Sequence, residues 1–355
     1  MRDNAPEKWV YREHTQVKHV LLEKYLRAWI PILGRYHQRI CYFDGFAGRG
    51  EWEGGFPGSP MIAVQVAHQL ENYFGEFVCT NIELDDDNYK NLESVLSRHQ
   101  YAKIEVVNIH GAFADVVGRI LSGLGAKLAP SFFFIDPFGF GGVPFATIKE
   151  ILSIPRTEVF ITFMYRDVNR FFETPAAQAA LHELFGTEVS EQLNRVSESR
   201  EHSLRDLYVK QLRDVAKVKY VWPFRVSMAE ERRTLYYLIH ATNHFKGLML
   251  MKTVMYNEGI GGDFCYLGPE DGARRIQPSF FDDDVRPLRD LLLQLFKGMT
   301  LTYNEIEELT WEAPFIDKHY RAVLKALAEE GAIIIRRVSS KRTGLKDKDE
   351  ISFPN

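Results

Sequence analysis

Cysteine is scarce in this chain, and the three present, Cys41, Cys79 and Cys265, lie far apart in apolar surroundings. That pattern excludes a disulfide framework and points to a reducing compartment. No group of Cys or His has metal-ligand spacing, so neither zinc nor an iron–sulfur cluster is expected. No apolar run approaches the roughly 20 residues that cross a bilayer. Residues 1–8 carry no apolar signal core, which leads to the expectation of a cytoplasmic protein without membrane association. Basic excess is missing as well. With 44 Lys and Arg against 48 Asp and Glu, the net charge of −4 excludes a globally basic nucleic-acid coat and leaves room for a local basic face. Repeats, low-complexity tracts and long like-charge blocks are absent.

Apolar residues, by contrast, are plentiful. A chain of 355 residues that is 45% hydrophobic and 13% aromatic can bury one large core and a smaller second one. Spacing over 13–33 predicts an amphipathic helix stopped near Pro31. A strand at 40–44 then runs into a glycine-rich turn. Ser59 is expected as the N-cap, and Pro60 as the first residue, of a helix continuing through Leu70. Strands at 77–82, 104–109, 132–135 and 159–163 alternate with helices near 86–99, 112–123 and 145–153. Such alternation predicts right-handed βαβ units and a mostly parallel α/β sheet of Rossmann type, covered on both faces. A helical insertion at 168–217 is expected to cap the cleft. Strands at 219–227 and 234–242 form an antiparallel terminal hairpin turning at 229–232, and a helix at 244–256 closes the domain. The domain spans 1–257, the Gly-, Pro- and Asp-rich stretch 258–284 reads as a linker, and 285–355 forms a second domain. There the order is helix 288–296, helix 303–309, helix 317–330, strand 332–338, wing, strand 351–353, the arrangement of a winged helix.

In open parallel sheets, ligands bind at the carboxyl ends of the strands. Those ends carry Asp44, Glu83, the turn from His110 to Phe113, Asp136-Pro137 and Tyr165-Arg166. Gly45, Gly48 and Gly50 permit positive φ and close approach of a ligand to the backbone. The spacing is neither the dinucleotide fingerprint nor the P-loop. The turn from Asp44 to Gly50, D-x-F-A-G-x-G, resembles motif I of Rossmann-like (class I) methyltransferases that bind S-adenosylmethionine. That resemblance implies a cofactor site in which the backbone of Gly45, Phe46, Ala47, Gly48 and Gly50 passes under the methionine part. Asp44 would face its ammonium, Glu83 the ribose hydroxyls, Leu84, Ala112 and Phe113 the adenine, and Asp136 the methyl donor. Asp136-Pro137-Phe138-Gly139 also resembles, in part, the D/N-P-P-aromatic turn with which amino-methyltransferases grip an exocyclic amine. The implied roles are Asp136 and Pro137 on the amine, Phe138 and Tyr165 on the base, and Arg166 on a phosphate. Plainer readings stay open: a solvated strand end for Glu83, a simple turn for Asp136-Pro137, and an ion pair of Arg166 with Asp136 or Asp167; Lys18 and His19 on the first helix either line the cleft or, the plainer reading, lie exposed at the surface.

In the second domain Lys318, His319, Arg321 and Lys325 recur at helical spacing, and Arg336, Arg337, Lys341, Arg342, Lys346 and Lys348 surround the wing. A basic helix beside a basic wing suits nucleic acid, with Lys318, Arg321, Lys325, Lys341 and Arg342 as contacts. Protein docking is the other use of such a module.

One ordered set of motifs resembles a single family, the three-Cys-motif partner (TcmP) proteins. The set is Tyr25-Leu26-Arg27-Ala28-Trp29 after Lys18, the run from Tyr42 to Gly50, Gly58-Ser59-Pro60, and the run from Phe134 to Gly139. Thr242-Asn243-His244 with Lys246-Gly247-Leu248, and Gly298-Met299-Thr300, complete it. The resemblance covers nearly the whole chain. It implies a methyltransferase-like Rossmann domain, a GMT-type winged helix, and a separate partner whose three-cysteine motif is similar to that of radical S-adenosylmethionine enzymes. The expectation is an S-adenosylmethionine-binding, methyltransferase-like protein acting on DNA or RNA. A non-catalytic adaptor recruiting the partner to nucleic acid, and a small-molecule methyltransferase, are the rivals.

Overall fold

The structure, a computed structural model, describes residues 13–98, 101–189, 200–227, 233–259, 264–266, 284–338 and 344–355. The chain forms two compact units, Met1–Val254 with Cys265–Pro269, and Met255–Phe264 with Glu270–Asn355.

The first unit is built on strands β1 (Arg39–Asp44), β2 (Glu76–Glu83), β3 (Ile104–His110), β4 (Ser131–Ile135), β5 (Thr157–Phe163), β6 (Tyr220–Ser227), β7 (Thr234–Thr242) and β8 (Cys265–Tyr266). Their order is β3-β2-β1-β4-β5-β7-β6-β8. The pairs among β1 to β5 are parallel, whereas β7 runs antiparallel to both β5 and β6. This is a mostly parallel sheet of Rossmann type, with the expected reversed hairpin at its end. Strand order reverses between β1 and β4, and that reversal opens a crevice at the strand tips. Phe132, Phe133 and Phe134 are all buried, as an unbroken apolar strand requires when helices cover both faces. Cys265 and Tyr266, expected in the linker, instead add β8 in parallel to β6. The hairpin turn at 229–232 lies outside the described residues.

The helices are α1 (Glu13–Gly34), α2 (Ser59–Gln69), α3 (Asp86–Leu96), α4 (Phe113–Leu124), α5 (Phe145–Ser153), α6 (Tyr165–Phe171), α7 (Gln178–Phe185), α8 (Arg200–Asp214) and α9 (Phe245–Glu258). Two boundaries differ from expectation. Pro31 sits inside α1, which runs on to Gly34, so the helix ends about one turn beyond the expected stop. Gly58, not Ser59, caps α2, because the Ser59 hydroxyl is bonded to Asp44. The insertion after β5 contributes α6, α7 and α8. Leu184, Phe185, Leu204, Leu207 and Tyr208 join the sheet core with Phe163, so these helices form a covering layer.

A buried polar knot fixes α1 on the sheet. The Glu158 carboxylate on β5 accepts from Tyr25 Oη at 2.5 Å, Trp29 Nε1 at 3.2 Å and His240 Nε2 at 3.0 Å. Burial alone pushes Glu158 upward in pKa, but the bonds from His240, Tyr25 and Trp29 outweigh it and hold the group below its ordinary value. Glu158 pairs in register with Phe132. From Phe132 to Asp136 is about 13 Å of strand at about 3.3 Å per residue, and from Tyr25 back to Lys18 about 10 Å of helix. The knot at one end of the sheet therefore delivers Lys18 to the strand tips at the other.

The second unit contains α10 (Arg286–Leu295), β9 (Thr300–Thr302), α11 (Tyr303–Leu309), α12 (Asp317–Glu329), β10 (Ile334–Arg336) and β11 (Glu350–Ser352). The strands form an antiparallel sheet, β10-β11-β9, completing a winged helix. Its core joins Leu292, Phe296, Ile306, Leu324, Leu327 and Ile351. Strand β9 is an addition to the expected order; of its residues only Thr300 had a reading, in the Gly298-Met299-Thr300 stop after the first helix, and β11 pairs with all three. A capping box between Thr302 and Glu305 starts α11 immediately afterwards. Among the described residues no helix is long and apolar enough to cross a membrane.

Glu158→Ala should leave its donors buried without an acceptor and cost about 3–5 kcal/mol, against about 1 kcal/mol for Tyr25→Phe. Urea unfolding checks the ranking, and an equal loss in the two variants would refute the knot as the main anchor of α1.

Candidate functional site

The glycine-rich turn is stitched across the crevice by backbone bonds. Gly45 N donates to Phe134 O at 2.9 Å, and Ala47 N to Ile82 O at 3.0 Å. Gly48 and Gly50 adopt φ of 62° and 80°, the left-handed region that favours glycine. Gly45 is constrained differently, since a Cβ there would meet the Phe113 ring at 2.8 Å.

Asp44 supports this turn from below and is fully buried. Its Oδ2 accepts from Tyr42 Oη at 2.8 Å and its Oδ1 from Phe46 N at 3.3 Å, with a further bond from Ser59. Burial pushes its pKa up to about 7; the bonds from Ser59, Tyr42 and Phe46 oppose that rise, and the nearby charge of Asp136 adds to it. The expected contact with a ligand ammonium gives way to a structural duty, because Asp44 has no exposed surface.

Glu83, at the tip of β2, latches the turn. Its Oε2 accepts from Gly48 N at 2.7 Å and its Oε1 from Asp85 N at 2.8 Å. A carboxylate offers about four lone-pair sites, so acceptor capacity for hydroxyl groups remains at this rim. Leu84 beside it is 64% exposed, and Ala112 is half-buried as the N-cap of α4. Phe113 does not face the crevice as expected. It belongs to the core, where its ring lies under Gly45 and 5.4 Å from that of Phe46.

Asp136 follows β4, on the other side of the turn. Lys18 Nζ lies 2.5 Å from its Oδ2, while Oδ1 is buried and has no hydrogen-bond partner among the described residues. His19 is buried beside the pair, and Lys18 stands 5.3 Å over the ring of buried Tyr236 on β7. Pro137 is buried, and Phe138 is 56% exposed. Tyr165 and Arg166 belong elsewhere. The Tyr165 ring meets Tyr237 edge-on at 6.4 Å, and exposed Arg166 pairs with Asp167 at 3.6 Å. The crevice thus gathers the glycine turn, Glu83 and Asp136. Sequence reasoning set surface exposure ahead of the cleft for Lys18 and His19 and missed Tyr236. The available signal was the pair Lys18-His19 set among the buried positions Val17, Leu21 and Leu22 of α1.

The basic residues of the winged helix are largely committed. Arg321 bonds Asp317 through Nε at 2.5 Å and reaches Leu345 O through Nη1. Lys318 lies 4.6 Å over the Tyr256 ring, and Lys325 pairs with Glu329 at 3.8 Å. His319 is buried and accepts from Ile316 N through Nδ1 at 3.0 Å. Lys341 and Arg342 lie outside the described residues. Arg337, Lys346 and Lys348 are exposed on the wing, which Asp349 shapes by accepting from Val338 N and Lys346 N at 3.0 and 2.8 Å.

Residues 269–339 match a family model described as a GMT-like wHTH domain. No curated protein matches the chain in sequence. Among solved structures it is similar to Trm1 from Pyrococcus horikoshii in complex with S-adenosyl-L-methionine, at 10% identity and a TM-score of 0.42, over 98% of this chain and 93% of that one. It is also similar to an O-methyltransferase from Bacillus cereus in complex with SAH, at 14% identity and a TM-score of 0.34, over 67% of this chain and 100% of that one. For human methyltransferase-like protein 13 in complex with SAH the values are 13%, 0.35, 79% and 98%. These likenesses concern the fold.

Folding raises the pKa of Asp44, so the stability it contributes is complete below its ordinary range and is lost as pH climbs through about 7. Relative to Asp44→Asn, which cannot ionise, the unmodified protein should lose up to about 4 kcal/mol between about pH 4 and 8. Urea unfolding of both proteins across that range measures the difference, and a constant gap would rule the burial effect out.

Proposed function

We propose that the first unit binds S-adenosylmethionine in the crevice between β1, β2 and β4 and methylates an amine on nucleic acid. The observation that carries this reading is the convergence, at the strand-order reversal, of a positive-φ glycine turn, the Glu83 carboxylate and the unpartnered Asp136 Oδ1. These groups fit the cofactor. Gly48 and Gly50 hold the turn in the positive-φ conformation that keeps its backbone open to a ligand, and Glu83 retains lone pairs for two ribose hydroxyls. When bound, S-adenosylmethionine supplies an electrophilic methyl group on a positively charged sulfur.

The chain's own residues then have distinct tasks. Glu83 and the turn from Gly45 to Gly50 bind and orient the nucleoside, with Leu84 and Ala112 beside the adenine. The part-exposed Asp136 carboxylate accepts the hydrogen of the acceptor N–H and so aims the nitrogen lone pair. It also receives the proton that the nitrogen sheds after methylation. Exposed Phe138 offers a stacking face for an extruded base. Tyr165 and Arg166, grouped with Tyr237 and Asp167, are not assigned to this step.

The winged helix supplies nucleic-acid affinity, and support for that role rests on the wing. Arg337, Lys346 and Lys348 are exposed there, whereas Arg321 and Lys325 on α12 face acids. A three-Cys-motif, radical-type protein is the partner that the sequence resemblance implies, and the GMT-like match over 269–339 supports the winged helix alone. The departure of Asp136-Pro137-Phe138-Gly139 from the D-P-P-aromatic pattern favours a second reading, a non-catalytic adaptor that brings this partner to nucleic acid.

Calorimetry with S-adenosylmethionine should show at least tenfold weaker binding for Glu83→Ala, since charge-assisted hydrogen bonds contribute about 1.5–3 kcal/mol. Asp136→Asn should retain S-adenosylhomocysteine binding and lose methyl transfer to mixed nucleic acids. Transfer that survives in this variant sinks the catalytic assignment, and full cofactor binding without transfer in the unmodified protein, with and without its partner, selects the adaptor. Exchanging Lys346 and Lys348 for Glu should weaken DNA or RNA binding and flatten its dependence on salt by about one to two charges; an unchanged slope removes the wing from the interface.

A further inference from the structure

Lys18 occupies a built seat. Its side chain is 12% exposed, its ammonium touches Asp136 Oδ2 at 2.5 Å, and the face of Tyr236 lies 5.3 Å away. A cation held between a carboxylate and an aromatic face gains from both. The groups around it do not provide an equivalent charge. His19, next on α1, is kept neutral: burial first, and then the charge of Lys18, pull its pKa down to about 3, against the opposing pull of Asp136. Tyr236 is buried, and burial followed by the charge of Asp136 raises its pKa well above the ordinary value. Asp44, at the tip of β1, adds a second carboxyl group rather than a cation. Among the described residues, compensation for Asp136 therefore falls to Lys18.

Resting on the cofactor reading above, we propose that Lys18 is the resident counter-ion of Asp136. It is a positioning residue that cancels the carboxylate charge where the methyl group is transferred and fixes the orientation of the Asp136 side chain. One consequence concerns the cofactor's two forms. S-adenosylmethionine carries a positive sulfur and S-adenosylhomocysteine a neutral one. A neutralised Asp136 treats them almost alike, so the product is not held less firmly than the donor by this corner of the pocket.

The test is the ratio of dissociation constants for these two nucleosides, measured by calorimetry without any methyl acceptor. In the unmodified protein the ratio should lie within a few-fold of one. Lys18→Met uncovers the Asp136 charge and should shift the ratio toward S-adenosylmethionine by about tenfold, the scale of one partly screened neighbouring charge. Lys18→Arg keeps the cation and should keep the ratio. Asp136→Asn strands the Lys18 cation and should move the ratio in the opposite direction, which decides the matter if Lys18→Met does not fold. Binding of both nucleosides with a ratio untouched by Lys18→Met and Asp136→Asn overturns the counter-ion role and spares the cofactor site. Failure of the unmodified protein to bind either nucleoside overturns both.

Discussion

The Glu158 carboxylate is the constraint on which the first unit depends. An ionised group taken into an apolar interior costs several kcal/mol unless its lone pairs are occupied. Here the donors come from different parts of the chain, Tyr25 and Trp29 on α1 and His240 on β7. Gly247 on α9 closes over the same carboxylate, where a Cβ would stand 2.9 Å from Oε2. Satisfying one anion thus sets the rotation and height of a 22-residue helix against the sheet. A helix anchored by aromatic packing alone could slide by a fraction of a turn, and the distance from Lys18 to Asp136 would slide with it.

Three carboxyl groups at the strand tips share a chemistry and differ in fate because their surroundings differ. Asp44 is sealed beneath the glycine turn and serves as a brace. Glu83, at the margin of burial, ties the same turn to β2 through Gly48. Asp136 is part-exposed, carries a cation on one oxygen and, among the described residues, leaves the other without a partner. Only the last two retain the means to engage a ligand. A crevice of this kind is stiff where it holds the backbone turn and adaptable where Asp136 meets Lys18.

Much of the architecture was legible in the chain itself. The parallel strands announced themselves as unbroken apolar runs, and Phe132 to Phe134 are buried because both sheet faces are covered. The winged helix was readable from alternating helical spacing and a glycine stop. Short elements were not: β8 and β9 have too few residues to show any period and exist because β6 and β11 offer them edges. The glycine turn, Glu83 and Asp136 could be named from strand-tip position, since the fold brings tips together. Partner choice could not. Lys18 looked like a surface lysine, Phe113 like a ligand contact and Arg321 like a nucleic-acid contact. Their fates were settled by Asp136, by Gly45 and by Asp317, the first two distant in sequence and the third one helical turn away.

The position of β7 between β5 and β6 has a consequence for the chain as it is made. Until residues 234–242 leave the ribosome, β5 is the terminal strand of the growing sheet, apolar along most of its length and lacking a neighbour on one side. Such an unsatisfied margin invites pairing between chains. Protection comes late, when the hairpin of β6 and β7 docks as a unit. A nascent chain stalled before that point is the form of this protein most prone to aggregate.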